Sequence, residues 1–407
     1  MAAFKTLNDL EDGQRVLIRL DLNSPVEGGE VQDNRRFSRH AATVRELVER
    51  GFAVAVLAHQ GRPGRDTFVS LEQHADILAE HIDSPVGFVA DTFGEEALAA
   101  IEDLEGGEVL VLENARMCDE ELPEEDPEGK AETDFVQTLS AHFDAYVNDA
   151  YSAAHRSHAS LVGFPLVMPA YAGRVMETEY EANTSIAERE FDGQVTMAVG
   201  GTKATDVIDV MSHLGETVDD FLLGGVAGQL FLRAQGHPIG YDTSPDMDLF
   251  DSQYEENEDL IKELLDERGD QVTLAHDVAY EEDGERVEID VEDLEEGNDI
   301  DFMDIGTGTA EDYAEVARGS EAVFLKGALG VFEDETFSTG TVTVLRAIAE
   351  TDCFSVVGGG DTSRSIGMYG MDEDDFGHVS IAGGAYIRAL TGADLVGVEV
   401  LERAAAR

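Results

Sequence analysis

Short β-favouring apolar runs alternate with amphipathic stretches along almost the whole of this chain, and that alternation limits its fold more than any other feature. A strand, a helical crossover and a second strand of the same direction build a parallel sheet with helices on its faces. One stretch shows the pattern. The spacing predicts a helix over 40–50 with Val44, Leu47 and Val48 on one face and Gly51 as its stop, then a buried strand over 52–58. At 407 residues the chain exceeds one ordinary core, so two α/β domains are expected. No linker rich in Pro, Gly or Ser divides it. An acidic helical connector over 172–190 is the best boundary.

Composition narrows the function. Apolar residues make up 43%, no run of 18 apolar residues offers a membrane span, and the start has no apolar signal core, so a cytoplasmic protein is expected. Cys118 and Cys353 lie far apart and read as reduced thiols. The 27 Lys plus Arg stand against 87 Asp plus Glu, a net charge of −60. A nucleic-acid partner needs a basic surface and is not expected; a nucleic-acid mimic does not account for the glycine loops described below. Carboxylate-rich surfaces keep a protein hydrated where molar salt screens charge beyond about 3 Å, and the acidity reads as halophilic. The few surviving positive charges, including only five lysines, then become informative. The acidic segments 119–134 and 281–301 read as solvated excursions.

Ligands of open parallel sheets bind at the carboxyl ends of the strands. In the first half, four strand ends run into Arg19-Leu-Asp21-Leu-Asn23, His59-Gln-Gly-Arg62, Glu113-Asn-Ala-Arg116 and Asn148 through Arg156. An arginine at each, in a chain so poor in basic residues, indicates a pocket for a phosphorylated anion. In the second half the strand ends run into Gly200-Gly-Thr-Lys203, Gly224-Gly-Val-Ala-Gly228, Lys326-Gly-Ala-Leu-Gly-Val-Phe-Glu333 and Gly358-Gly-Gly-Asp-Thr362. Glycine admits close approach of backbone to phosphate, and a helix N-terminus adds donors, so this half reads as nucleotide-binding. A P-loop, a dinucleotide fingerprint, a protein-kinase signature and a histidine metal cage are all absent from the sequence.

Taken in order, Arg19-Leu-Asp-Leu-Asn-Ser-Pro25, His59-Gln-Gly-Arg-Pro63, Leu112-Glu-Asn-Ala-Arg116, Tyr146-Val-Asn-Asp-Ala150 with Ala154-His-Arg156, Gly327-Ala-Leu-Gly-Val-Phe-Glu333, Gly358-Gly-Gly-Asp-Thr362 and His378-Val-Ser380 resemble the phosphoglycerate kinase family over essentially the whole chain. The resemblance implies two domains of similar size, each a parallel sheet flanked by helices, separated by a cleft. Residues 1–172 would bind triose phosphate, 173–190 connect, 191–384 bind Mg-nucleotide, and 385–407 return to the first domain. It implies reversible phosphoryl transfer between 1,3-bisphosphoglycerate and ADP, giving 3-phosphoglycerate and ATP, by a cytoplasmic monomer with Mg2+. Carried over, Asp21 and Asn23 resemble ligands of the glycerate portion. Arg36, His59, Arg62, Arg116 and Arg156 resemble the basic patch, with His59 and Arg62 toward the stable phosphate and Arg36 reaching the transferring group. Lys203 resembles the lysine that meets that group from the nucleotide side. Glu333 resembles the ribose ligand, Gly358, Gly359, Gly360 and Thr362 the nucleotide-phosphate loop, and Asp361 the magnesium ligand. His155 and His158 read as packing residues. Val207 replaces a frequent second lysine, Lys326-Gly-Ala328 replaces Asn-Gly-Pro and returns a positive charge, and Ile381 replaces a threonine.

An acyl phosphate leaves as a carboxylate and ADP attacks through an ionised oxygen, so the reaction needs no general base, and the sequence shows no base–nucleophile pair. In-line positioning, positive charge at the moving group and domain closure against water would carry catalysis. Two other readings stay open at this point. A non-catalytic acidic binding protein on the same fold has no use for Lys203, Arg36 and Asp361 together, and a kinase for another carboxylic acid has no use for Arg62 and His59 as a distal phosphate grip. The charge carries its own prediction: below roughly molar salt, unscreened repulsion should loosen the fold. Circular dichroism and activity should fall together during dialysis, and full retention of both in dilute buffer would contradict the halophilic reading.

Overall fold

The computed structural model of the protein describes residues 4–123, 125–239, 250–298 and 300–407. Residues 1–3, Glu124, 240–249 and Asp299, which fall within segments discussed above, lie outside that set. The chain divides into two compact units, Met1–Glu181 with Asp394–Arg407, and Ala182–Ala393.

The first unit holds six parallel strands: β1 (Arg15–Arg19), β2 (Ala53–Leu57), β3 (Val86–Val89), β4 (Val109–Leu112), β5 (Ala145–Asn148) and β6 (Ala170–Ala172), in the order β3-β4-β2-β1-β5-β6. Val16, Leu17, Ile18, Val54, Val56 and Val111 are fully buried, as strands covered on both faces must be. The helix expected over 40–50 is longer. It runs as α1 (Arg35–Glu49), because Asn34 caps it by accepting the Arg36 N–H at 2.9 Å. Its Phe37, Ala41, Val44 and Leu47 face the sheet, each large side chain contributing about 1.5–3 kcal/mol by leaving water. Helix α2 (Arg174–Glu188) begins in the first unit, and the unit boundary falls within it.

The second unit repeats the plan with β7 (Val195–Val199), β8 (Asp220–Leu223), β9 (Val272–Thr273), β10 (Ala322–Lys326), β11 (Phe354–Gly358) and β12 (His378–Val379), all parallel, ordered β9-β8-β7-β10-β11-β12. Helices α3 (Ala204–Leu214), α4 (Gly225–Ala234) and α5 (Gly360–Met368) each start just past a strand end. The last helix, α6 (Val396–Ala405), packs in the first unit, where Val400 joins Ala150, Ala153, Leu161 and Val162.

Most of both acidic segments is exposed or half-buried, as expected of solvated excursions, but parts of each are built into the fold. Within 119–134, Glu121 is fully buried and Lys130 nearly so. Within 281–301, residues Glu285–Asp290 pair antiparallel with Asp277–Glu282, which also pairs with Phe302–Ile305. The turn is Asp283-Gly284, both with positive φ, the two-residue connection that matches strand twist.

Strand order shows where crevices open. From β1 the chain crosses to β2 on one side, while β5 lies on the other. From β7 it crosses to β8, while β10 lies on the other side. Each reversal opens a crevice beyond the carboxyl ends of two neighbouring strands.

Candidate active site

In the first unit the crevice lies between the loops after β1 and β5. Asp21, 3% exposed, binds the Arg36 guanidinium and the Ser152 hydroxyl through one carboxylate oxygen. Its other oxygen accepts the Asn23 N–H at 3.2 Å, and Asn23 Oδ1 accepts the Gly61 N–H at 2.8 Å. The loops after β1 and β2 are thereby tied together. Arg116 donates to the Gly61 carbonyl from the β4 side. Its Nε is buried without a hydrogen-bond partner among the described residues. Arg62 is exposed at the rim and Arg156 is half-buried. Asp21, Asn23, Arg36, His59 and Arg116 therefore form one cluster, with Arg62 at its edge; Arg156 lies near enough to His59 and Arg116 to bias both.

Arg19 corrects the picture of four ligand-facing strand-end arginines. It is the last residue of β1 and has no solvent exposure. Its Nε donates to Ser160 Oγ at 2.8 Å, one terminal nitrogen to the Leu20 carbonyl and the other to His59 Nδ1 at 3.0 Å. A guanidinium only donates, so His59 Nδ1 accepts and the proton sits on Nε2. Burial drives the His59 imidazole well below its ordinary value; Asp21 pulls the other way, while Arg19, Arg116 and Arg156 add to the fall. The ring is a neutral Nε2–H donor. Burial alone would raise Asp21, yet Arg36, Ser152 and Arg19 outweigh it and hold the carboxyl well below the usual range. Burial, Arg156 and Arg19 lower Arg116 to about 10.

Further groups that sequence reading passed over support this cluster. Asp21 N–H donates to His40 Nε2 at 3.3 Å, and His40 Nδ1 meets Asp149 at 2.8 Å. The second oxygen of Asp149 accepts the Val175 N–H of α2 at 2.8 Å. One chain of hydrogen bonds thus joins the β1 loop to the start of that helix. Glu121 accepts from both the N–H and Oγ of Ser160 at 2.7 Å, and the buried His158 lies 3.7 Å from it.

In the second unit, Lys203 is exposed and caps α3 in extended conformation. Gln253, also passed over, accepts the Ala204 N–H at 3.1 Å and donates to the Thr202 carbonyl at 2.8 Å, which fixes the loop. Several glycines there serve loop packing rather than ligand approach. A Cβ on Gly200 would lie 2.1 Å from the Ala328 carbonyl oxygen, and one on Gly358 2.2 Å from the Tyr386 ring. Gly359 differs: its φ of 106° excludes other residues and leads directly into α5. Gly360 is open, Asp361 is exposed in the first turn, and the Thr362 hydroxyl is buried with no partner among the described residues. Glu333 is exposed, 3.5 Å from Arg364. Among the described residues no cluster of His, Cys, Asp or Glu could hold a metal alone. A single exposed carboxylate beside a helix N-terminus suits a hard cation shared with phosphate oxygens.

The model of the family described as "Phosphoglycerate kinase" matches residues 7–393. The chain belongs to the phosphoglycerate kinase family. It is 72% identical over 400 residues to the phosphoglycerate kinase of Haloarcula marismortui, covering 98% of this chain and 100% of that one. It is 69% identical over 408 residues to that of Halorubrum lacusprofundi, covering both in full. The crystal structure of phosphoglycerate kinase from Pyrococcus horikoshii OT3 superposes with a TM-score of 0.91 at 34% identity, covering 99% of each chain. These relatives from halophilic archaea agree with the acidic composition. Within this family the chain has a nucleotide substrate. No helix among the described residues is long and apolar enough to cross a membrane.

The buried imidazoles set a pH dependence of definite sign. Burial lowers His74 to about 4 and, with help from Arg116 and Arg19, His158 to about 3. Such rings bind protons only in the unfolded chain once pH falls below about 6.5. Stability is therefore complete above that value and declines toward the folded-state values. Each ring accounts for a loss of at most about 2 kcal/mol between pH 7 and 5. Ring resonances in NMR should show neither histidine titrating above pH 5, with melting temperature in constant KCl falling over the same interval. A midpoint near 6.5 for either ring would contradict this packing.

Proposed function

We propose a residue-level account of the family's reaction, the reversible glycolytic transfer of a phosphoryl group between 1,3-bisphosphoglycerate and ADP. The first unit binds the triose phosphate and the second the Mg-nucleotide. Asp21 and Asn23 hold the glycerate portion. His59, as a neutral Nε2–H donor, and Arg62 grip the phosphate that does not move, with Arg116 and Arg156 behind them. Arg36 and Lys203 meet the moving group. Glu333 holds the ribose, and Gly358, Gly359, Gly360 and Thr362 the nucleotide phosphates. Bound Mg2+, which Asp361 would hold, supplies charge neutralisation at those phosphates. The observation that carries this reading is the placement of the scarce cations at the carboxyl ends of parallel strands, at the chain reversal of each sheet.

A buried imidazole far below its ordinary value is a poor base at neutral pH, which suits a reaction whose attacking oxygen is already ionised. Negative charge spreads over the equatorial oxygens in the transition state, where fixed cations stabilise it most. Asp21 steers Arg36 and Ser152 while remaining ionised. The glycolytic role supports a cytoplasmic location, and the acidic surface gives no footing for nucleic acid. We propose a monomer, since each half-site draws its residues from within one unit.

Two variants test the division of labour. Arg62→Ala should weaken 3-phosphoglycerate binding by roughly 2–3 kcal/mol and leave ADP binding unchanged. Lys203→Met should lower kcat by roughly 10²–10³-fold with ADP affinity moved only a few-fold. Equal losses of both ligands on Arg62→Ala, or a near-normal kcat in Lys203→Met, would contradict the assignment.

A further inference from the structure

Lys326 ends β10, the strand beside β7 at the chain reversal, and its register partner is Val199. Its carbonyl accepts the Gly200 N–H at 2.9 Å. The next residue, Gly327, has a φ of 79°, and a Cβ there would strike the Gly200 carbonyl at 2.5 Å. On the other side, a Cβ on Gly359 would stand 3.6 Å from the Gly327 nitrogen. The root of Lys326 is therefore fixed between the Gly200–Lys203 loop and the Gly358–Thr362 loop.

Its side chain, 13% exposed, forms an ion pair with Asp206, which is 25% exposed. Asp206 lies in the first turn of α3, the helix that starts directly after Lys203. A helix N-terminus favours an anion, and here a carboxylate of the chain occupies that field. An incoming phosphate would meet a like charge unless the lysine turned to it. A partly exposed ammonium on a four-carbon stem can make that exchange, which a rigid guanidinium fork makes less readily. Of the other described lysines, Lys130 donates to the Glu120 and Glu121 carbonyls and Lys262 pairs with Glu258 on an exposed helix face.

We infer that Lys326 is a second phosphate-contacting residue of the nucleotide half, held by Asp206 in the free protein and handed to a phosphate of the nucleoside diphosphate on binding. Asp206 competes with the nucleotide for the same ammonium and so sets its affinity. The inference rests on the reading of the two glycine loops as nucleotide-phosphate sites.

Calorimetric titration of the full chain with ADP in constant high KCl tests it. Lys326→Met alone would leave Asp206 unpaired beside the phosphates, so the informative comparison removes that carboxylate first. Asp206→Asn should bind ADP roughly three- to tenfold more tightly than the parent. Adding Lys326→Met to Asp206→Asn should then weaken ADP binding about tenfold or more, with 3-phosphoglycerate affinity unchanged. If the double variant folds poorly, Lys326→Arg decides: its rigid fork should leave Asp206 less readily and bind ADP several-fold more weakly than the parent, and parent affinity would overturn the hand-over. The inference is overturned if the double variant binds ADP within about twofold of Asp206→Asn, or if Asp206→Asn binds more weakly than the parent. A reduced kcat in Lys203→Met beside either result would confine the failure to Lys326. An unaffected Lys203→Met would bring down the reading of the loops with it.

Discussion

The first unit's site is organised by a guanidinium that never meets solvent. Arg19 closes the central strand, and taking its charge out of water costs several kcal/mol unless partners compensate. Its hydrogen bonds reach Ser160, the Leu20 carbonyl and His59. The balancing carboxylates stand one step away, Glu121 through Ser160 and Asp21 across His59 at 3.8 Å. That buried cation fixes the His59 tautomer and adds to the burial that keeps the ring neutral, while Arg36, with a smaller part from Arg19, holds Asp21 ionised. Asp21 then orients Arg36 and Ser152, and through His40 and Asp149 its loop is tied to the start of α2. Parallel strand order brings these groups together, and burial with the charges of Arg36 and Arg19 sets their protonation states.

The second unit solves a similar problem with backbone. Its loops at the chain reversal pack glycine against carbonyl, leaving Gly201 and Gly360 open. Among the described residues Lys203 and Lys326 bring positive charge to these loops, the second already engaged by Asp206, and Arg364 stands beside Glu333. In a chain of net charge −60, each cation stands in a strong background of like-signed carboxylates. Placing the few that remain at strand ends concentrates attraction for anionic ligands where the fold leaves a crevice.

Much of this was legible in the residues. Alternating strands and amphipathic stretches reveal the α/β class, because burial on both sheet faces demands continuous apolar runs. The strand ends, and with them Asp21, Asn23, His59, Arg116, Lys203 and the Gly358–Thr362 loop, follow from the same pattern. What was not legible depends on three-dimensional neighbours. Arg19 reads like the other strand-end arginines, yet it lies within the strand rather than past it, so its side chain enters the core. Glu121 and Lys130 stand in an acidic run that looks solvated, and only their bonding with Ser160 and nearby carbonyls explains their burial. Gln253 lies about fifty residues from the loop it fixes and carries no local signal. The start of α1 at Asn34 and the Asp283-Gly284 hairpin are different. Both carry a recognisable capping or turn residue, overlooked because charged flanks obscured the apolar period.

The central claim is that each ligand is held by its own unit, through the loops at that unit's chain reversal. Hydrogen exchange of the full chain, with one ligand at a time in high KCl, tests it most directly. With 3-phosphoglycerate alone, protection should rise in the loops over 20–24, 59–63, 114–118 and 149–156. It should stay unchanged over 200–206, 326–333 and 358–362. With ADP and Mg2+ alone the pattern should invert. Protection of both sets by a single ligand, or of the opposite set, would contradict the assignment of the two sites.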